Sequence, residues 1–99
     1  MISPECTVAK AKDTPWNVID DEAVLLNLDT GCYYILNETG CRVWELLDGE
    51  HCVKALADQI CQEYEVDTAQ ALQDVIAILE KLQQEKLIDL IEKKEPSLA

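Results

Sequence analysis

The apolar residues change their spacing within residues 32–49, which read CYYILNETGCRVWELLDG. Up to Leu36 they form a short β-rich run, and from Asn37 onward they recur at the spacing of an amphipathic helix. Asn37 is a predicted N-cap, because its side chain can accept a hydrogen bond from the first turn. Gly49 is predicted to end this helix as its C′ residue. The stretch therefore predicts an α+β domain in which strands precede helices.

Two further β-rich runs precede residue 32 and predict a three-stranded antiparallel sheet. They cover residues 16–19 and 23–28, and turns of acidic residues or glycine separate the three runs. Gly31 is expected at positive φ in the second turn, where a residue with a Cβ would be strained. The last strand is apolar on both faces, and a three-stranded sheet keeps two open edges. A peptide could add to this strand, or its two tyrosines could simply complete a small core.

Two more helices follow the first. Residues 52–64 carry one apolar stripe, and a helix over residues 67–85 opens with Asp67 and Gln70 in the pattern of a capping box. The apolar arc of this third helix is wider than the roughly 100° that one core contact needs. Ala71 and Ile78 form the surplus. They either pack on a neighbouring helix of the same chain or form the wall of a groove for a partner.

The two ends of the chain are predicted to lie outside the main domain. Residues 1–15 are expected to form a flexible N-terminal arm, because they contain two prolines and show no sustained period. The domain then covers residues 16–91, in which residues 87–91 either extend the third helix or form a short strand. Residues 92–99 are expected to form a frayed C-terminal tail.

The composition indicates one domain with no nucleic-acid or membrane partner. Of the 99 residues 48% are hydrophobic, and no apolar run approaches the roughly 18 residues that a membrane span needs. There are 20 Asp and Glu against 8 Lys and Arg, and the resulting net charge of −12 disfavours binding to phosphate or acidic lipid. This charge either solvates the surface or favours basic peptides. With no export signal in the sequence, we expect a cytoplasmic protein.

The sequence offers little for catalysis or for cofactor binding. Its five cysteines are odd in number and none stand as Cys-x-x-Cys, so we expect reduced thiols, no metal site and no cofactor. The single histidine, His51, is expected to be an exposed residue of a loop between two helices. The only serines, Ser3 and Ser97, lie in the terminal segments, which disfavours an acyl carrier. We therefore expect a binding protein and not an enzyme.

Residues 34–49 and a set of spaced residues after them resemble the PqqD family. The first part reads YILNETGCRVWELLDG, and the later matches are Val53, Leu56, Ala57, Tyr64, Asp74, Val75, Leu79 and Leu82. The resemblance covers residues 16–91 and implies a winged-helix-turn-helix-like domain with a three-stranded antiparallel sheet followed by three helices. It implies a non-catalytic peptide chaperone that binds the leader of a ribosomally synthesised precursor peptide. The chaperone would present this leader to a modifying enzyme such as a leader peptidase, a cyclase or a radical SAM enzyme, and we expect a monomer or weak dimer.

The resemblance also implies where the leader binds. The leader adds as a strand to the third β-strand, in a cleft bordered by the third helix. The implied contacts are Tyr33, Tyr34, Ile35, Leu36, Ala71, Asp74, Val75 and Ile78. Tyr34 and Ile78 are the expected side-chain anchors. Asp74 either orients a basic leader residue or belongs to a solvated helix face.

Two features bear on the branch of the family. Residues 28–34 resemble the stand-alone leader-binding proteins of lasso-peptide synthesis more than members of the pyrroloquinoline quinone pathway. Lys86 stands where the family often has a glycine, which leaves the geometry of the following wing open. A PqqD protein of the quinone pathway is one alternative. A winged-helix subunit unrelated to peptide modification is another, although the negative charge disfavours a transcription factor.

Overall fold

The computed structural model of the chain describes residues 2–91. Within them lie the strands β1 (Thr7–Lys10), β2 (Trp16–Ile19), β3 (Glu22–Leu26), β4 (Tyr33–Leu36), β5 (Asp48–Cys52) and β6 (Ile88–Ile91). The helices are α1 (Glu38–Leu46), α2 (Val53–Tyr64) and α3 (Thr68–Gln84). The predicted α+β class is confirmed, and so is the order of three antiparallel strands followed by three helices. The two strands that were not predicted, β1 and β5, form a second sheet with β6.

The first sheet has the order β2-β3-β4 and is antiparallel throughout. The turn between β2 and β3 is formed by Asp20 and Asp21, whose φ values are 51° and 65°. Two successive residues at positive φ define a type I′ turn, whose twist matches that of the strands it joins. In the turn before β4, Gly31 has φ 73°, as the sequence predicts. Both hairpins therefore place β4 at one edge of this sheet.

The second sheet has the order β5-β1-β6, and its central strand is β1. The prediction of a flexible arm over residues 1–15 is wrong here, because Thr7–Lys10 pairs on both sides and Thr7 and Val8 are buried. Residues 87–91 end in the strand β6, which settles the alternative left open by the sequence. The predicted tail over residues 92–99 lies outside the described residues.

The first helix begins as predicted and ends earlier. The side chain of Asn37 accepts a hydrogen bond from the Gly40 N–H at 2.9 Å, so the predicted N-cap is confirmed. The helix ends at Leu46, and Gly49 lies in β5 with φ 79°. The prediction of Gly49 as a C′ residue is therefore wrong. Its positive φ instead falls where the pairing of β5 with β1 becomes irregular, and glycine tolerates the conformation that such a bulge requires.

The third helix lacks the capping box that its sequence predicts. Asp67 is the N-cap residue of α3, but its side chain makes no capping hydrogen bond. The Gln70 side chain does not reach back to the cap, because its Nε2 donates to Asp74 Oδ1 at 2.9 Å. The start of α3 is thus predicted within one residue, whereas the predicted hydrogen bonds are wrong.

Trp44 stands in the core that the two sheets share with the helices. Its side chain has no exposed surface and meets Trp16 edge to face, with ring centroids 6.1 Å apart. The Lys10 Nζ lies 5.4 Å from the Trp16 ring centroid and 5.6 Å from that of Trp44. It also donates to the Leu47 carbonyl oxygen at 2.7 Å, and burial lowers the pKa of this amine. Lys10 therefore connects β1 to the end of α1 and to β2.

The histidine lies on a strand and not in a loop. His51 is exposed, as predicted, but belongs to β5. Its Nδ1 lies 2.7 Å from Asp48 Oδ2. The Glu50 backbone N–H and the His51 ring together lower the pKa of Asp48 to about 2. Among residues 2–91, no helix is both long and apolar enough to cross a membrane.

Candidate functional site

Within residues 2–91, no other strand pairs with the backbone groups on the outer edge of β4. Antiparallel partners alternate between hydrogen-bonded and non-bonded pairs, and the Asn27 N–H donates to the Cys32 carbonyl oxygen at 2.9 Å. Counting along β4 from this bond, the backbone groups of Tyr34 face β3 and those of Tyr33 and Ile35 face outward. The strand contains no lysine or proline, the residues that commonly protect an edge from pairing. We call this side of the strand the β4 edge.

The side chains of β4 alternate between two faces, as the sequence predicts. Tyr34 and Leu36 are half-buried and pack against the core. Tyr33 and Ile35 point the other way, with 68% and 66% of their surface exposed. Other apolar residues of the same sheet share this second face, which we call the outer face. They are Ile19, Val24 and Leu26.

A narrow cleft separates β4 from the C-terminal half of α3. It encloses about 50 Å³ and is lined by Tyr34, Ile35, Leu36, Lys81, Leu82, Glu85 and Leu87. The Tyr34 hydroxyl donates to Glu85 Oε2 at 2.6 Å and so spans the cleft. Asn27 Nδ2 donates to the Glu85 carbonyl oxygen at 3.0 Å, which joins the end of α3 to the first sheet. The cleft beside the β4 edge therefore has an apolar wall, which includes Leu82 and Leu87, and a carboxylate held in place, that of Glu85.

The hydrogen bond from the Tyr34 hydroxyl to Glu85 changes the pKa of this tyrosine. The hydrogen bond to the Glu85 carboxylate raises the pKa of Tyr34 to about 12. Because the folded pKa is raised above the ordinary value near 10, this bond stabilises the fold below that value, and its contribution is lost as the pH rises from about 10 to 12. We expect NMR of the Tyr34 ring to titrate near pH 12 in the wild type and closer to 10 in Glu85→Ala. Titration at the same pH in both proteins would contradict this assignment.

Two residues predicted in the cleft are not available there. Ala71 and Val75 have no exposed surface and belong to the core, so their prediction as peptide contacts is corrected. Asp74 is exposed and accepts a hydrogen bond from Gln70, and Ile78 is half-buried one helical turn before Leu82. The structure therefore leaves Ile78 and Asp74 on the accessible side of α3 and adds residues that the sequence reasoning missed.

The missed residues lie closer to the C-terminus of α3. They are Lys81, Leu82 and Glu85, followed by Leu87. Lys81, Leu82 and Glu85 follow Ile78 by three, four and seven residues, which is the spacing of one helix face. This periodicity was a usable signal, because it continues the face on which Ile78 was predicted. Among the described residues no group of His, Cys, Asp and Glu is arranged to hold a metal ion.

Comparison with known proteins gives matches in sequence and in structure. The family model of coenzyme PQQ synthesis protein D (PqqD) matches residues 22–88. The structure of TbiB1 in complex with the TbiA(beta) leader peptide is similar, with a TM-score of 0.75 and 34% sequence identity. That match covers 82% of this chain and 94% of TbiB1. No protein of curated function matches this chain.

Two further solved structures share the fold at lower identity. One is the solution structure of the PqqD truncation of Methylobacterium extorquens PqqCD, a stand-alone recognition element for ribosomally synthesised and post-translationally modified peptides. It has a TM-score of 0.76 and 21% identity over 90% of this chain and 95% of that one. The other is lasso peptide synthetase B1 complexed with the leader peptide, with a TM-score of 0.74 and 24% identity over 83% and 96%. With the family model matching more than half of its residues, the chain belongs to the PqqD family.

Proposed function

We propose that this protein binds the leader of a ribosomally synthesised precursor peptide as an added strand on the β4 edge. The observation that carries the proposal is the pair of outward-facing residues Tyr33 and Ile35, whose backbone groups have no partner strand within the described residues. The cleft beside α3 lies along the same edge. The similar protein TbiB1 was solved in complex with a leader peptide, which supports the proposal.

The geometry suits strand addition in which backbone bonds supply affinity and side chains supply selectivity. Tyr33 and Ile35 each offer one N–H and one C=O, and each bond formed contributes about 0.5–1.5 kcal/mol net. Leader side chains on the cleft side meet Tyr34 and Leu36 across from α3. Ile78 then extends the apolar wall, and Asp74 lies beyond it. Tyr33, Tyr34, Ile35, Leu36, Ile78 and Asp74 are the contacts we propose.

The role we propose is delivery, with the chemistry performed by a separate modifying enzyme. A leader held on this protein raises the local concentration of the attached core peptide at that enzyme, to the order of millimolar for a short flexible link. We propose the outer face as the surface for the enzyme, because a bound leader would extend this apolar face by one strand. The protein would act in the cytoplasm as a monomer or weak dimer, and would itself be non-catalytic.

A second candidate is the corresponding step of pyrroloquinoline quinone synthesis. The matching family model is named for coenzyme PQQ synthesis protein D, which favours this candidate. The resemblance of residues 28–34 to the stand-alone leader-binding proteins of lasso-peptide synthesis favours the lasso-type branch. Both candidates use the same edge and cleft and differ only in the precursor peptide. Titration with the leader of each pathway separates them.

Hydrogen exchange at single amides tests the proposed binding mode. Peptides selected from a random display library on the full chain would serve as probes, together with the TbiA(beta) leader peptide. On binding, we expect the exchange of the Tyr33 and Ile35 amides to slow by more than about tenfold, because their N–H groups gain partners. The outward-facing amides of Trp16 and Val18, on the opposite edge of the same sheet, serve as the internal control.

Two results would contradict the proposed binding mode. One is tight peptide binding that leaves the Tyr33 and Ile35 amides exchanging as in the free protein. The other is protection of those amides that rises with protein concentration in the absence of peptide, which would indicate that the β4 edge pairs with a second copy. Size-exclusion chromatography over the same concentration range identifies this second case.

A further inference from the structure

The Glu85 carboxylate is held in place at the end of α3, and within the described residues only one of its two oxygens accepts a hydrogen bond. It is the C-cap residue of α3 and is half-buried. Its backbone carbonyl is held by Asn27 Nδ2 at 3.0 Å, and its Oε2 accepts from the Tyr34 hydroxyl at 2.6 Å. Within the described part of the chain, Oε1 has no hydrogen-bond partner. A carboxylate has about four acceptor positions, so Glu85 can accept further bonds without losing its place.

Tyr34, which donates to Glu85, indicates which residue of an added leader strand would lie near this carboxylate. Tyr34 lies in a pair whose backbone bonds face β3, so a leader residue opposite Tyr34 on the other edge forms a non-bonded pair with it. Directly opposite residues place their side chains on the same face, with Cβ atoms about 4.5–5.5 Å apart. In a leader added to this edge, that side chain would therefore point toward the cleft beside the Tyr34 phenol. Its tip would come near the Glu85 carboxylate, to which the phenol donates in the free protein.

The charges around the cleft favour a basic side chain at the leader residue opposite Tyr34. The neighbouring residues Leu36, Leu82 and Leu87 are apolar, so they offer the entering group no competing polar partner. Lys81 also lines the cleft, but it is exposed and makes no ion pair with Glu85 among residues 2–91. The chain as a whole carries a net charge of −12, which attracts cations. A basic side chain can form a charge-assisted bond with the free Oε1 while Tyr34 keeps its bond to Oε2.

Resting on the proposed function, we propose that Glu85 determines leader specificity by binding a basic side chain, Lys or Arg, at the leader residue opposite Tyr34. In the free protein the Tyr34 hydroxyl donates to Oε2 alone. The basic side chain of the leader binds the free Oε1, or displaces Tyr34 and binds both oxygens. Leaders with an acidic residue at this position are rejected, because two carboxylates would then share one half-buried cleft.

Selection of peptides by display on the full-length chain tests this specificity. The wild type, Glu85→Lys and the control Glu80→Lys are each immobilised and exposed to one random peptide library. Glu80 is exposed on α3 outside the cleft, so its variant makes the same charge change without altering the site. We expect Lys or Arg at one position in wild-type and Glu80→Lys binders, and Asp or Glu at that position in Glu85→Lys binders. Exchanging Lys for Glu in a selected peptide should weaken wild-type binding by about tenfold or more.

A second variant keeps the proposal testable if Glu85→Lys does not fold. Glu85→Gln keeps a side-chain oxygen for Tyr34 and removes only the charge, so it is expected to lose the basic preference without reversing it. The same basic preference in Glu85→Lys, Glu85→Gln and the wild type would overturn the proposal, as would wild-type binders without basic enrichment.

The variant Ile35→Pro separates this proposal from the proposed function. Peptides that need the β4 edge but ignore Glu85 would overturn the specificity alone. Peptides that bind equally well to Ile35→Pro would overturn the proposed function, and with it the role of Glu85. A folded wild-type protein that selects no peptide would overturn both.

Discussion

Replacing Ile35 with proline is expected to weaken peptide binding strongly and to leave the domain folded. The Ile35 N–H points away from β3, so its loss removes no hydrogen bond among the described residues. A proline at this position removes a donor from the β4 edge and places its ring where a leader backbone would approach. We expect a loss of about 2–3 kcal/mol, or roughly 30- to 150-fold in Kd. Fluorescence anisotropy with a labelled selected peptide measures the change, and circular dichroism verifies the fold.

Val18→Pro is the matched control for this experiment. The Leu26 N–H donates to the Pro15 carbonyl oxygen at 3.0 Å, which by the same alternation turns the Val18 N–H outward on the opposite edge of the sheet. That N–H donates to the neighbouring Asn17 Oδ1 at 3.0 Å and to no strand of the described chain. We expect Val18→Pro to bind peptide as the wild type does. Equal loss in both variants would show that the proline acts through the stability of the sheet and not through the β4 edge.

Trp44→Ala is expected to produce the largest change in stability. Trp44 is fully buried, and truncating a buried Trp to Ala commonly costs about 3–5 kcal/mol. Domains of this size are stable by about 5–15 kcal/mol in total, so the variant should lose a large part of its free energy of unfolding. The loss also leaves Lys10 without one of the two rings it contacts. Urea unfolding followed by circular dichroism gives the difference.

Two further substitutions separate the causes of this loss. Trp16→Ala removes the same edge-to-face contact from a residue that is 42% exposed, and we expect less than half of the destabilisation. Trp44→Phe keeps most of the ring and removes a buried Nε1 donor that has no partner in the described residues. We expect it to cost less than Trp44→Ala by more than about 2 kcal/mol. A Trp44→Phe variant as unstable as Trp44→Ala would contradict this expectation.

The sequence predicts those elements whose signals are local. The β2-β3-β4 sheet and the three helices follow from changes of period and from residues such as Asn37, which act within one turn. β1 and β5 pair with each other although they lie far apart in the chain. Residues Asp48–Cys52 are poor strand formers taken alone, and their extended state follows from pairing with β1. No local pattern contains that information.

The candidate site shows the same division. The alternation along β4 predicts that Tyr34 and Leu36 share one face and that Tyr33 and Ile35 share the other, and the structure has this arrangement. A helical projection of α3 gives the angle of each residue about the axis but not the height at which β4 crosses it. The strand lies beside the C-terminal half of the helix, so the cleft contains Glu85 where Ala71 was predicted. The level along the α3 axis at which β4 lies depends on the length and packing of the segments that connect the two elements.

The central position of β1 determines which part of the chain could be transplanted as a unit. The stretch that matches the family model, residues 22–88, contains the β4 edge and the cleft but neither β1 nor β2. A fragment cut at those limits would lose β1 and all of β6 except Ile88, so β5 would keep no partner strand in the second sheet. It would also remove Lys10 from above Trp44. A graft of this recognition domain onto another enzyme therefore has to begin before Thr7, although the peptide is expected to bind elsewhere.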